Sequence, residues 1–157
     1  MSFPDQLLEQ AHHLANRERT KPRQASLRRA VSTAYYALFH LLTTEAAKNW
    51  KQLDQRHALA RLFEHGRMKS ASKKWSHDNP PSAPASIVAG HLRVVAETFV
   101  QAQQQRHTAD YDNAAQWTRT DVMRQIRAVD AAFQSWKIIH KAPPAQAYLV
   151  SLLGKDR

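Results

Sequence analysis

Between Leu27 and Ala46 the apolar residues Leu27, Val31, Ala34, Tyr35, Leu38, Leu42 and Ala46 recur at steps of three and four. That period puts them on one face of a helix about 20 residues long and fits no strand. A stripe of this length needs an apolar cover of similar length, so the rest of the chain has to supply helices to pack on it. Leu7, Leu8, His12 and Ala15 predict one over 5–19, stopped by Pro22. Leu59, Leu62 and Phe63 predict another over 52–69. Ile87, His91, Val94, Val95, Thr98, Phe99 and Ala102 mark a fourth that runs to Gln105, followed by a polar break at 106–113. Val122, Ile126, Val129, Phe133, Trp136 and Ile139 mark a fifth. Thr118 or Thr120 caps it, and Asp121 in its first turn offsets the exposed amide dipole. Pro143-Pro144 ends it, and Tyr148, Leu149, Leu152 and Leu153 belong to a short last helix over 145–153.

Only three glycines occur, while Ala, Gln, Leu and Arg abound, a balance that favours helices and starves a sheet of its turns. The expected fold class is all-α: an antiparallel four- to five-helix up-and-down bundle with a short C-terminal helix, in one domain over 1–157. The sole candidate boundary is 76–86, Ser-His-Asp-Asn-Pro-Pro-Ser-Ala-Pro-Ala-Ser, which reads as a long surface loop. Trp50, Trp75 and the Tyr148 segment are left to cover the core or to form the contact of a homodimer.

The sequence has no cysteine, which removes a disulfide framework, a thiol nucleophile and a thiolate metal site and suits a reducing cytoplasm. It has no Walker A or GxGxxG loop, and its nine histidines lack the spacing of a ligand set, so neither cofactor nor metal is expected. The segment 1–6 shows no basic region leading into an apolar run, which predicts no secretory signal. His40 and Glu45 interrupt the longest apolar stretch well short of the roughly 18 residues a membrane span needs, so no membrane partner is expected. The formal charge of +10 attracts polyanions, RNA among them, unless the basic surface is simply indifferent.

Two segments carry candidate chemistry. In Ser26–His40 the adjacent Tyr35 and Tyr36 lie about 100° apart on a helix, so one ring enters the core and the other does not. Tyr36 and His40 share a face with Ser32 and either line a polar groove or serve as satisfied core residues. In 106–111, Arg-His-Thr-Ala-Asp-Tyr, Arg106 could bind a phosphate while Asp110 holds its guanidinium, or the two could form a helix-end ion pair with Tyr111 packed beside them.

The run Arg-Arg-Ala-Val-Ser-Thr-Ala-Tyr-Tyr-Ala-Leu-Phe-His, followed after a Pro-rich loop by Arg-x-x-Ala-Asp-Tyr, resembles the HEPN family, and the likeness covers about 7–139. The resemblance implies a helical bundle, often dimeric. It also implies a place in a prokaryotic toxin–antitoxin or defence system, as a metal-independent RNase or as the partner of a small nucleotidyltransferase antitoxin. Nuclease members carry an arginine and a histidine four to six residues apart in between. Here Arg106 is directly followed by His107, and Asp110 stands where the histidine would. An aspartate, with an ordinary pKa of about 3.9, is a poor proton donor near neutrality, whereas histidine is suited to it. The departure favours an RNA- or nucleotide-binding regulatory member. The alternative is a ribonuclease with a rearranged site of Arg106, Asp110 and His107 or His40. By the same resemblance Tyr111 is the candidate acceptor of nucleotides from a partner transferase.

Two basic patches could extend such a surface. Arg17, Arg19, Lys21, Arg23, Arg28 and Arg29 cluster at the first helix junction. Arg67, Lys69, Lys73 and Lys74 precede Trp75, pairing phosphate attraction with a ring on which a base could stack, unless Trp75 is a lid on the core.

Overall fold

The long stripe forms α2, Gln24–Ala47, in this computed structural model, which describes residues 1–77 and 86–154. The described residues contain seven α-helices and no strand. Leu27, Val31, Ala34, Tyr35, Leu38 and Leu42 are all fully buried, as the spacing requires. Ahead of α2, α1 (Phe3–Ala15) opens on a capping box in which Ser2 and Asp5 satisfy each other's backbone amides. It ends at Ala15, earlier than Pro22, with Asn16 as its cap.

The helix expected over 52–69 is broken. A 3-10 turn, Leu53–Gln55, leads into the short α3, Arg56–Ala60, and α4 starts afresh over His65–His77. Phe63 and Met68 are five residues apart, which on one continuous helix would aim them about 140° from each other. The break lets both be buried, and leaves Leu62, expected inside, 64% exposed. Of the expected loop, Ser76 and His77 belong to α4 and 78–85 lie outside the described residues.

α5 runs over Ser86–Tyr111, so the expected polar break at 106–113 is helical as far as Tyr111. Its polar last turns remain helical because distant side chains take up their free carbonyls: Arg28 donates to Ala109 O at 2.9 Å and Asp112 O at 2.8 Å, and to Ala115 O at 2.5 Å. α6, Arg119–Ile139, is capped by Thr118, whose hydroxyl accepts from the Asp121 amide. Pro143-Pro144 opens α7 (Pro143–Ser151), since proline fits the first helical turn, where no amide donor is needed.

Side-chain bonds set the directions. Phe3 meets His40, so α1 and α2 are antiparallel. Arg28 meets the end of α5, and His91 near the start of α5 meets Ser135 near the end of α6 at 3.0 Å, which makes both of those pairs antiparallel too. α4 packs along α5, and Ser72 and Trp75 bond Tyr148 and Ser151 of α7. Among the described residues no helix is long and apolar enough to cross a membrane.

Candidate functional site

Tyr35, in the middle of α2, is fully buried, and Tyr36 beside it is half-buried, as their 100° offset requires. The Arg106 guanidinium lies over both rings, 5.2 Å from the centroid of Tyr35 and 5.7 Å from that of Tyr36. Such stacking on aromatic faces stabilises a cation where water is scarce. The Arg106 side chain keeps only 11% of its exposure. Its nearest carboxylate oxygen, on Asp110, is 3.8 Å from Nη1, beyond hydrogen-bond distance. Its Nε is buried with no acceptor. Asp110 is occupied elsewhere, because the buried Ser32 hydroxyl donates to its carboxylate.

The imidazole nearest this cation is that of His65, at the start of α4. Its Nδ1 is 2.5 Å from the Tyr35 hydroxyl, and its ring stacks on Phe39 at 4.3 Å. Burial, then the charge of Arg106 and then His40, hold His65 below the ordinary histidine pKa. Burial pushes the Tyr35 phenol well up, against the opposing charge of Arg106. A protonated phenol beside a neutral imidazole donates to Nδ1, which leaves the ring proton on Nε2. His65 therefore presents an N–H donor beside Arg106.

The remaining candidates are distributed around this centre. Ser32, Tyr36 and His40 follow one face of α2, but Ser32 is committed to Asp110. His40 is half-buried, holds a pKa lowered by burial, and sits edge-on to Phe39 and Phe3. It lines a groove of about 520 Å³ with Phe3, Phe39, His57, Arg61 and Phe63. His107 is exposed on α5 and pairs with Tyr111, ring centroids 5.0 Å apart, while Tyr111 is 67% exposed at the last residue of the helix. The structure thus brings Arg106 and Asp110 together and places His107 and Tyr111 on the adjoining outer face.

On α4, Arg67 and Lys74 fall within 20° of each other by helical geometry, and Lys69 and Lys73 lie on the other side. Arg67 pairs with Glu64 at 3.2 Å, and with Lys74 and Trp75 it lines a groove of about 320 Å³. Trp75 is half-buried, its ring edge-on to Tyr148 and its N–H donated to Ser151 at 3.0 Å. In the other basic cluster, Arg28 is committed to the end of α5.

His65 and the Tyr35 hydroxyl are missed by sequence reasoning: His65 lies 41 positions from Arg106 with no motif linking them. The buried polar atom of Tyr35 within an apolar stripe was the available signal, since it obliges some other residue to bond it. Comparison with protein-family models, with curated proteins and with solved structures finds no match to this chain.

Proposed function

We propose that this chain is a HEPN-like binding or regulatory protein that engages RNA, or a nucleotide-bearing protein partner, at the face of α2 and α5 around Arg106. The carrying observation is the state of the guanidinium: stacked on Tyr35 and Tyr36, nine-tenths enclosed, 3.8 Å short of Asp110, with Nε lacking an acceptor. A cation fixed in place and incompletely paired is suited to receive a phosphate oxygen. The His65 Nε2–H adds a neutral donor on the same side, and the net charge of +10 draws polyanions towards it. Tyr36 and His40 extend this face along α2. The exposed Tyr111, beside His107, is accessible as a nucleotide acceptor for a nucleotidyltransferase antitoxin. Arg67, Lys69, Lys73, Lys74 and Trp75 on α4 form the outer contacts of the RNA. In this reading the protein works in the cytoplasm as a homodimer, within a toxin–antitoxin or defence system.

A second reading, a metal-independent ribonuclease, is favoured by one observation: an imidazole and an arginine share the Tyr35 hydroxyl's surroundings. For His65 to take a 2′-hydroxyl proton its Nε2 would have to be unprotonated, with Nδ1–H donated to Tyr35 instead. The lowered His65 pKa suits a base and not an acid, and Asp110 would need to give the second proton.

Both are tested by incubating the protein and Arg106→Ala with single-stranded RNA without added metal. The binding reading expects salt-sensitive association that weakens in the variant, with the RNA intact. Cleavage lost in Arg106→Ala would replace it with the ribonuclease. Neither binding nor cleavage would overturn both.

A further inference from the structure

Two buried N–H groups converge on a groove that lies on another side of α5 from Arg106. The groove, about 420 Å³, runs between α5, the connection that follows it and α6, and its walls include Gln101, Gln105, Gln116, Trp117, Arg124 and Gln125. Its volume falls in the range of small-molecule sites, roughly 300–1,000 Å³. The Trp117 indole N–H and the Gln125 amide nitrogen are both buried, and neither finds an acceptor in the protein. Gln125 is 8% exposed, so its amide is more than nine-tenths enclosed. Buried donors are almost always satisfied, and two orphans lining one groove point to a common acceptor-bearing occupant.

The site is also built to hold its shape. The Gln24 side chain, at the start of α2, clamps the Trp117 peptide from both sides: its amide donates to Trp117 O at 2.8 Å and its carbonyl accepts from Trp117 N at 2.9 Å. Thr118 then caps α6 immediately after it. The tryptophan is thus fixed at its backbone before any ligand arrives.

We infer that this groove is a nucleobase-binding site. The chemistry of the lining selects that class. Its one cation, Arg124, is paired with Asp121 at 3.3 Å, so the lining carries no net charge for an isolated anion. Four glutamine side chains offer mixed donors and acceptors, the complement of a heteroaromatic edge, and the indole supplies an aromatic wall. A free nucleoside or an unstacked base of single-stranded RNA would present the same edge. The inference stands apart from the Arg106 reading, because Arg106 takes no part in the groove.

The test follows the indole N–H resonances of the intact protein by NMR, with Trp117→Phe identifying the Trp117 signal. Adenosine, guanosine, cytidine and uridine are titrated separately, then a single-stranded RNA tetranucleotide, with ribose 5-phosphate as the baseless control. We expect a saturable shift of the Trp117 signal with at least one nucleoside or with the RNA. That shift is absent with ribose 5-phosphate and retained in Arg106→Ala. A response to nucleosides identifies free nucleosides or nucleotides as a sufficient source; a response to RNA alone identifies a strand. Gln125→Met removes one unpaired donor without removing bulk, so it should melt no lower than the parent while binding about tenfold more weakly. No response to any base-bearing probe, or an equal response to ribose 5-phosphate, would overturn the inference, as would undiminished binding by Gln125→Met.

Discussion

The hydroxyl of Tyr35 and Nδ1 of His65 stand 2.5 Å apart, and this bond joins the middle of α2 to the first residue of α4. Between them lie α3 and the break at 61–64, so the bond fixes where the chain re-enters the bundle after an irregular stretch. Tyr35→Phe keeps the ring, its packing against Phe99 and its place beneath Arg106. It removes the donor and leaves a half-buried imidazole nitrogen unpaired. Urea unfolding should show a loss of about 1–3 kcal/mol, the usual cost of orphaning such a group. Unchanged stability would mean that the bond does not hold α4 in place.

Acid should weaken the same region. Burial sets the pKa of both His40 and His65 below the ordinary value, with Arg106 adding to the effect at His65. The unfolded chain then binds protons that the folded one refuses. Their contribution to stability is complete above the unfolded pKa of about 6.5 and declines as pH falls from there through the lowered folded values. Asp5 and Glu18, lowered chiefly by hydrogen bonds from Ser2 and from the Arg23 amide, act in the same direction only nearer the carboxylate range. Melting temperatures should drop between about pH 7 and pH 5.5, and His40→Gln with His65→Gln should flatten that slope. A profile equally steep in the double variant would place the sensitivity elsewhere.

Arg28 is expected to be the side chain on which the end of α5 depends. One planar fork reaches the carbonyls of Ala109, Asp112 and Ala115, from 81 to 87 positions away in the chain. Arg28→Lys keeps the charge, but a single ammonium on a flexible stem cannot span the same acceptors. Amide hydrogen exchange should therefore accelerate over 109–115, with a stability loss of about 1.5–3 kcal/mol. Exchange unchanged in that segment would show that α5 holds its own end.

The same bond explains what the sequence conceals. The stripes of α2 and α6 are local patterns, so period alone reveals both helices and most of their buried residues. The segment 106–111 is polar and ends in turn-forming residues, and by local signals the helix should stop before it. It continues because Arg28 and Ser32 meet it from α2, partners that no local window contains. His65 is hidden for a similar reason: it was expected mid-helix, and only the break at 61–64 turns it towards Tyr35. Arg106, Asp110, Tyr36 and His40 were legible as candidates because their residue types and spacing stand out. Which of them touch depended on contacts across helices.

Arg106→Met separates a binding role for this arginine from a purely structural one. Methionine has a comparable length and can lie over Tyr35 and Tyr36, while Asp110 keeps the Ser32 hydroxyl. The substitution abolishes an enclosed charge whose Nε has no acceptor and whose carboxylate partner is 3.8 Å away. Replacing an imperfectly compensated buried cation with an apolar chain of similar volume is commonly neutral, or stabilising by about 1–4 kcal/mol. If Arg106 is kept for phosphate binding, the variant should melt at the same temperature or higher. Its RNA affinity should fall, with the slope of log affinity against log salt shallower by about one. A lower melting temperature with unaltered RNA affinity would assign Arg106 to the fold and remove it from the site.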